Sequence, residues 1–130
     1  MEKVQEFSRR ELREEIIKHL YTIDINKEFL DIDFESEYIT ESVEGVLANL
    51  HKIDEIIINN LKNWKINRLS YVDRAIIRFA VYELYYTDTP YEIVINEALN
   101  LTRKFSDEGD SKQVSFTNKV LDNIKKYLKK

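Results

Sequence analysis

Apolar residues recur every three or four positions along most of the chain, and the places where this rhythm stops predict about seven helices. Leu12, Ile16, Leu20 and Ile23 form one stripe, widened by Ile17 and Tyr21, which predicts a first helix from about Ser8 to Ile25. The acidic stretch 26–32 predicts a connector holding a short second helix or turn. Phe34, Tyr38, Ile39, Val43, Val46, Leu47 and Leu50 outline a long third helix whose outward face carries Glu37, Glu41 and Glu44. Ile53, Ile57, Leu61 and Trp64 mark a shorter fourth helix that stops before Asn67, with Trp64 expected in the core.

The start signals are clearest in the second half. Ser70 followed by Asp73 has the form of a capping box, in which a serine oxygen accepts a backbone N–H and the acid reaches back to the cap. The fifth helix begins there and buries Val72, Ile76, Phe79, Ala80 and Leu84. Thr89, Pro90 and Glu92 repeat the pattern, with threonine as cap and proline at the first helical position, where no N–H is needed. Val94, Ala98, Leu101 and Phe105 then line a sixth helix. Residues 106–111, with Gly109 between acids, form a loop, and Phe116, Val120, Ile124 and Leu128 define the last helix.

Composition narrows the class. Two glycines and one proline in 130 residues leave too few turn-makers for an all-β fold, so the expectation is an all-α domain. Its length suits one domain that buries roughly two-thirds of its unfolded surface. The pattern divides it into two small packed subdomains, about 1–66 and 67–130. The absence of cysteine excludes disulfides and thiolate metal sites and is compatible with a reducing cytoplasm. No signal peptide opens the chain, and no apolar run reaches the 18 or so residues of a membrane helix, so no membrane partner is expected.

Net charge is −4, yet its distribution matters more than its sum. Between Asp24 and Glu44 eight acids face Lys27 alone, for −7; the remainder, with 16 acids and 19 bases, is +3. Bases gather at the ends: Arg9, Arg10 and Arg13 in front, Lys119, Lys125, Lys126, Lys129 and Lys130 behind. Arginines at a helix start oppose the macrodipole, which phosphate neutralisation would justify. Local pairing with Glu6, Glu11 and Glu14 is the plainer alternative. The terminal lysines, by themselves, read as a solvated end that balances the last helix's dipole.

Three stretches in order carry a family resemblance. Val72-Asp73-Arg74-Ala75-Ile76-Ile77-Arg78, then Tyr82-Glu83-Leu84, then Pro90 and Ile95-Asn96-Glu97-Ala98, resemble the central signature of the NusB family of transcription antitermination factors. Residues 116–122 resemble that family's last-helix motif, and residues 8–14 its arginine-bearing start. The resemblance implies a factor that joins the ribosomal protein NusE, binds the boxA element of nascent ribosomal RNA leaders and acts in the antitermination complex of RNA polymerase. It assigns RNA binding to Arg9, Arg10, Arg13, Lys112, Phe116 and Asn118, and partner binding to Tyr21, Tyr82 and Glu83. Read from the residues alone, Phe116 is equally a core residue, and Tyr82 an ordinary packing residue.

This chain departs from the family pattern in three places. The loop between Asp110 and Phe116 is about two residues longer, Lys119 replaces the glycine expected after the asparagine, and Glu11 interrupts the arginines. A related domain begins certain ribosomal RNA methyltransferases, but these 130 residues hold no methyltransferase segment. Nothing predicts catalysis or a cofactor: His19 and His51 lie on separate helices, and Gly45 and Gly109 are too far apart for a phosphate loop. A helical protein–protein adaptor with little RNA binding of its own is the alternative function. Homodimerisation through the tyrosine-rich stretch is left open.

Overall fold

A computed structural model describes residues 8–27, 36–62 and 65–130. Among them are six α-helices and no strand: α1 Arg9–Asn26, α2 Glu37–Ala48, α3 Leu50–Asn59, α4 Tyr71–Tyr86, α5 Tyr91–Phe105 and α6 Lys112–Tyr127, with a 3-10 turn at Ile66–Arg68 before α4. The all-α expectation holds. The connector expected at 26–32, and the core placement of Phe34 and Trp64, fall largely or wholly outside the described residues.

Helix α4 is the centre of the bundle, because each of the other five helices packs against it. Its sequence explains this: Ala75, Ile76, Ile77, Phe79, Ala80, Val81 and Leu84 are all buried, so apolar residues cover most of its circumference rather than one stripe. Ile16, Ile17, Leu20 and Ile23 of α1 pack on one side of it. Leu101 of α5 and Val120, Leu121 and Ile124 of α6 complete the core on another.

The long third helix predicted to run to Leu50 is broken at Asn49. The Asn49 N–H reaches the Gly45 and Val46 carbonyls, and its side-chain amide donates to the Gly45 carbonyl at 2.8 Å. This asparagine terminates α2, and α3 starts at Leu50, as local side-chain competition for backbone acceptors allows. Asn60 closes α3 in the same way, donating to the Ile56 carbonyl at 2.8 Å.

The caps are also redistributed. Ser70 accepts from the Asp73 N–H at 3.1 Å, but the Asp73 carboxylate does not return to the cap backbone; it accepts from the Ser70 and Ser106 hydroxyls at 2.8 and 2.6 Å. Asp73 therefore ties the start of α4 to the end of α5. The two-sided capping box sits at α1, where Ser8 accepts from the Glu11 N–H and Glu11 accepts from the Ser8 N–H. Helix α5 starts one residue later than Thr89-Pro90 suggests. The Pro90 carbonyl accepts its first N–H groups, and Thr89 bonds Thr87 instead.

Charge holds one end of the α1–α4 contact. Asp24 of α1 accepts from Arg74 at 2.7 Å and Arg78 at 3.3 Å, and Arg78 makes a bidentate pair with Asp54 of α3 at 2.8 and 2.9 Å. Burial alone raises the Asp24 carboxyl, but hydrogen bonds from Lys27 and Arg74, with the charges of Arg74 and Arg78, outweigh it and hold the group below the ordinary carboxylate value. A carboxyl depressed by folding contributes stability that is complete above its unfolded value, about 4, and is lost as pH falls through the folded value. Asp24→Asn is expected to cost on the order of 2 kcal/mol at pH 7. In urea titrations from pH 7 to 2.5, the wild type should lose more stability below pH 4 than the variant. Parallel curves would show that Asp24 does not carry this dependence.

Candidate functional site

Among the described residues, the three arginines at the start of α1 find their hydrogen-bond and ring partners beyond their own helix. Each reaches a different helix. The Arg9 guanidinium lies 3.8 Å from the centre of the Tyr38 ring on α2, Arg10 makes two 3.3 Å hydrogen bonds to Glu97 on α5, and Arg13 makes two 3.1 Å hydrogen bonds to Glu83 on α4. Glu11 caps the helix, and Glu14 accepts from Lys104 of α5 at 2.9 Å while its charge still attracts Arg10 one turn away. Glu6 lies outside the described residues.

Burial separates the three. The side chain of Arg10 is 61% exposed, whereas those of Arg13 and Glu83 are 7% and 4% exposed. Arg13 and Glu83, which the resemblance assigns to RNA and to the protein partner, are thus engaged with one another inside the bundle. Burial works against the Arg13 charge, yet the hydrogen bond and charge of Glu83 overcome it and raise the guanidinium above its ordinary value. The phenol of Tyr38 lies in the same field. Burial and Glu83 push it up to about 12, so it stays protonated beside the pair.

A signal for this pair exists in the sequence. Arg13, Ile16, Ile17 and Leu20 share one face at i, i+3, i+4 and i+7, and Ile76, Ala80 and Glu83 share another at i, i+4 and i+7. A charged residue in register with each apolar stripe marks two groups that must find each other.

The tyrosines occupy two places. Tyr21 is 37% exposed and meets Tyr71 edge to face, with ring centres 6.3 Å apart. Tyr82 is half-buried and stacks between Phe79 and Tyr86 at 6.4 and 5.8 Å. Tyr71 and Tyr82 are eleven residues apart on α4, so about 16 Å separates the two places, along nearly one face of that helix. Tyr82 also lies over Gly45 of α2: a Cβ at Gly45 would stand 2.5 Å from the ring. Any larger residue there would have to displace the ring. Burial, then Glu41 and Glu83, raise the Tyr82 hydroxyl, which keeps it a donor.

The entry to α6 holds the remaining candidates. Lys112 opens the helix, its side chain is 87% exposed and its N–H donates to Asp110 at 3.1 Å. Phe116 is half-buried against the core, between the two readings of it, and Asn118 and Lys119 are exposed. Residues 112–116, expected in a lengthened loop, are instead the first turn of α6 and its continuation; the loop before them is ordered by Asp107, which accepts from the N–H groups of Gly109 and Ser111 at 3.0 and 3.3 Å, with both of those residues at positive φ. Helix α5 links this entry to the arginines: Thr102 lies 3.4 Å from Thr117 of α6, while Glu97 and Lys104 face α1.

Among the described residues no group of three or more His, Asp or Glu side chains is placed to hold a metal ion, and His19 and His51 stand on α1 and α3. No described helix is long and apolar enough to cross a membrane.

Comparison with known proteins agrees with this arrangement. The model of the NusB family matches residues 3–126. The transcription antitermination protein NusB of Listeria monocytogenes serotype 4a (strain HCC23) is 42% identical over 124 residues, covering 89% of this chain and 94% of that protein. NusB of Bacillus subtilis (strain 168) is 38% identical over 126 residues, covering 90% and 94%. Among solved structures, T. maritima NusB superposes with a TM-score of 0.81 at 31% identity, covering 94% of this chain and 93% of that one. A crystal structure of the antitermination factors NusB and NusE in complex with double-stranded RNA superposes with a TM-score of 0.78 at 27% identity, covering 92% and 96%.

The buried pair gives a test of the site's framework. Arg13→Met or Glu83→Leu alone leaves an unpaired charge in the interior and is expected to cost about 3–5 kcal/mol, while the double substitution should recover most of that loss. Denaturant unfolding of the four proteins measures the coupling. Additive losses would show that the pair is not what holds α1 in place.

Proposed function

Since the chain belongs to the NusB family, we propose that it is a cytoplasmic transcription antitermination factor, binding boxA-type RNA of nascent ribosomal RNA transcripts together with NusE in the RNA polymerase antitermination complex. The observation that carries the RNA half is the start of α1, where an exposed Arg10 and the Arg9 stacked on Tyr38 project from a helix whose register is held from within. Guanidinium forks suit phosphate oxygens, and each phosphate neutralised releases condensed counterions. Arg13 supports this surface from inside by holding α1 against α4.

In this reading the α6 entry supplies the second contact. Lys112 takes a phosphate, Asn118 offers its amide to a base edge, and the exposed edge of Phe116 packs against an unstacked base. Tyr21 and Tyr82 belong to the partner surface, spread along one face of α4, with Glu83 fixing α4 from beneath. The two halves of the chain, about 1–66 and 67–130, act as subdomains that share α4 as their wall. The protein works by assembly, with no chemical step.

The test is an anisotropy titration of boxA-type single-stranded RNA across a salt series, with and without NusE, against scrambled and double-stranded controls. Arg9→Gln with Arg10→Gln is expected to weaken RNA binding about tenfold or more and to flatten the salt slope by about 1 to 2. NusE binding should be unchanged. Tyr21→Ala and Tyr82→Ala should do the reverse, weakening NusE and sparing the RNA titration done without it. Association with NusE but with none of the RNAs at any salt would leave a protein–protein adaptor in place of this function.

A further inference from the structure

The α1–α5 seam alternates in sign. Arg10 and Glu14 on α1 face Glu97 and Lys104 on α5, with contacts of 3.3 and 2.9 Å. Spacing explains the match: residues four apart on one helix and seven apart on the other each return to the same face. Arg10 is the outermost member of this row and the arginine of the proposed RNA contact whose fork is already filled.

Three features make that filling a loose one. Both Arg10–Glu97 hydrogen bonds are 3.3 Å long, whereas the Arg78–Asp54 fork closes at 2.8 and 2.9 Å and charge-assisted bonds commonly lie near 2.8 Å. Arg10 is 61% exposed, so water and salt reach its side of the contact. Glu97 also feels the charge of Arg13, with which it lines one crevice beside Glu83, so part of its attraction to a cation remains when Arg10 turns away.

We infer that Glu97 sets the affinity and ionic-strength range of RNA binding by occupying the Arg10 fork in the free protein and yielding it to an RNA phosphate. A carboxylate and a phosphate are the same kind of ligand to a guanidinium, so binding becomes an exchange. Isolated anions of low charge do not win that exchange. A polyanion does, because counterion release accompanies each contact and neighbouring contacts hold it in place. The backbone need not move: the Ser8–Glu11 cap and the Arg13–Glu83 pair keep α1 in register while one side chain swings.

This inference rests on the RNA reading above, and the experiment separates the two. Glu97→Gln preserves size and is expected to tighten binding of single-stranded boxA-type RNA about three- to tenfold at 0.15 M salt, with NusE affinity and thermal midpoint unchanged. Arg10→Gln should weaken RNA binding, and in that background Glu97→Gln should change affinity less than about twofold, since there is no fork left to release. An equal gain in both backgrounds would mean general repulsion of RNA by Glu97 and would overturn the exchange. A loss of affinity in Glu97→Gln would mean that Glu97 holds Arg10 ready for RNA, which also overturns it. If the wild type binds RNA and Arg10→Gln weakens it while Glu97→Gln changes nothing, only this inference fails. If no variant and no wild type binds RNA, the functional reading fails with it.

Discussion

A guanidinium and a carboxylate, both almost dry, hold the first helix to the centre of this bundle. Taking either out of water alone is prohibitive, and even as a pair they gain little over well-packed apolar side chains. What the Arg13–Glu83 contact adds is register. A bidentate fork fixes both the rotation of α1 and its position along α4, which a stripe of Ile16, Ile17 and Leu20 sliding over alanine and isoleucine does less sharply. With that register set, Arg9 and Arg10 project at the helix start and Tyr21 is exposed near its far end.

The other end of the same contact uses a different device. Asp24 gathers Lys27, Arg74 and Arg78, and Arg78 passes the charge on to Asp54 of α3. So the arginines of the central signature, which carried the family resemblance, are here part of the framework. Between the two ionic ends lies an apolar middle. Helix α1 is bolted at both ends and greased between, and the acidic excess of the first half is partly an internal ligand set for α4.

Much of this was legible from periodicity. All-helical character, the start of α1 at Ser8, the core positions of α4 to α6 and the loop at 106–111 follow from spacing and cap residues, because those signals are local. The break at Asn49 was not legible: one polar residue inside an apolar rhythm looks like an outward position until its amide is seen on the Gly45 carbonyl. Glu11 looked like an intruder among arginines and is a cap. The partners of Arg13, Glu83 and Glu97 were not legible for a common reason. They stand 70 and 87 residues away, and no local pattern states which charged residue in register with a stripe will meet which other.

Those separations also fix a time. A ribosome adding about 5–20 residues per second makes Glu97 roughly 4 to 17 s after Arg10. The cap of α1 is complete within four residues, so the helix can form early, yet the carboxylates that seat it belong to helices not yet made. Throughout that interval Arg10 lacks its α5 partner on a tethered segment, beside a ribosome whose own RNA is an abundant polyanion. Helix α1 is thus defined first and placed last. A pause in synthesis between α3 and α5 prolongs the only period in which this helix, cap intact and charges open, belongs to no bundle.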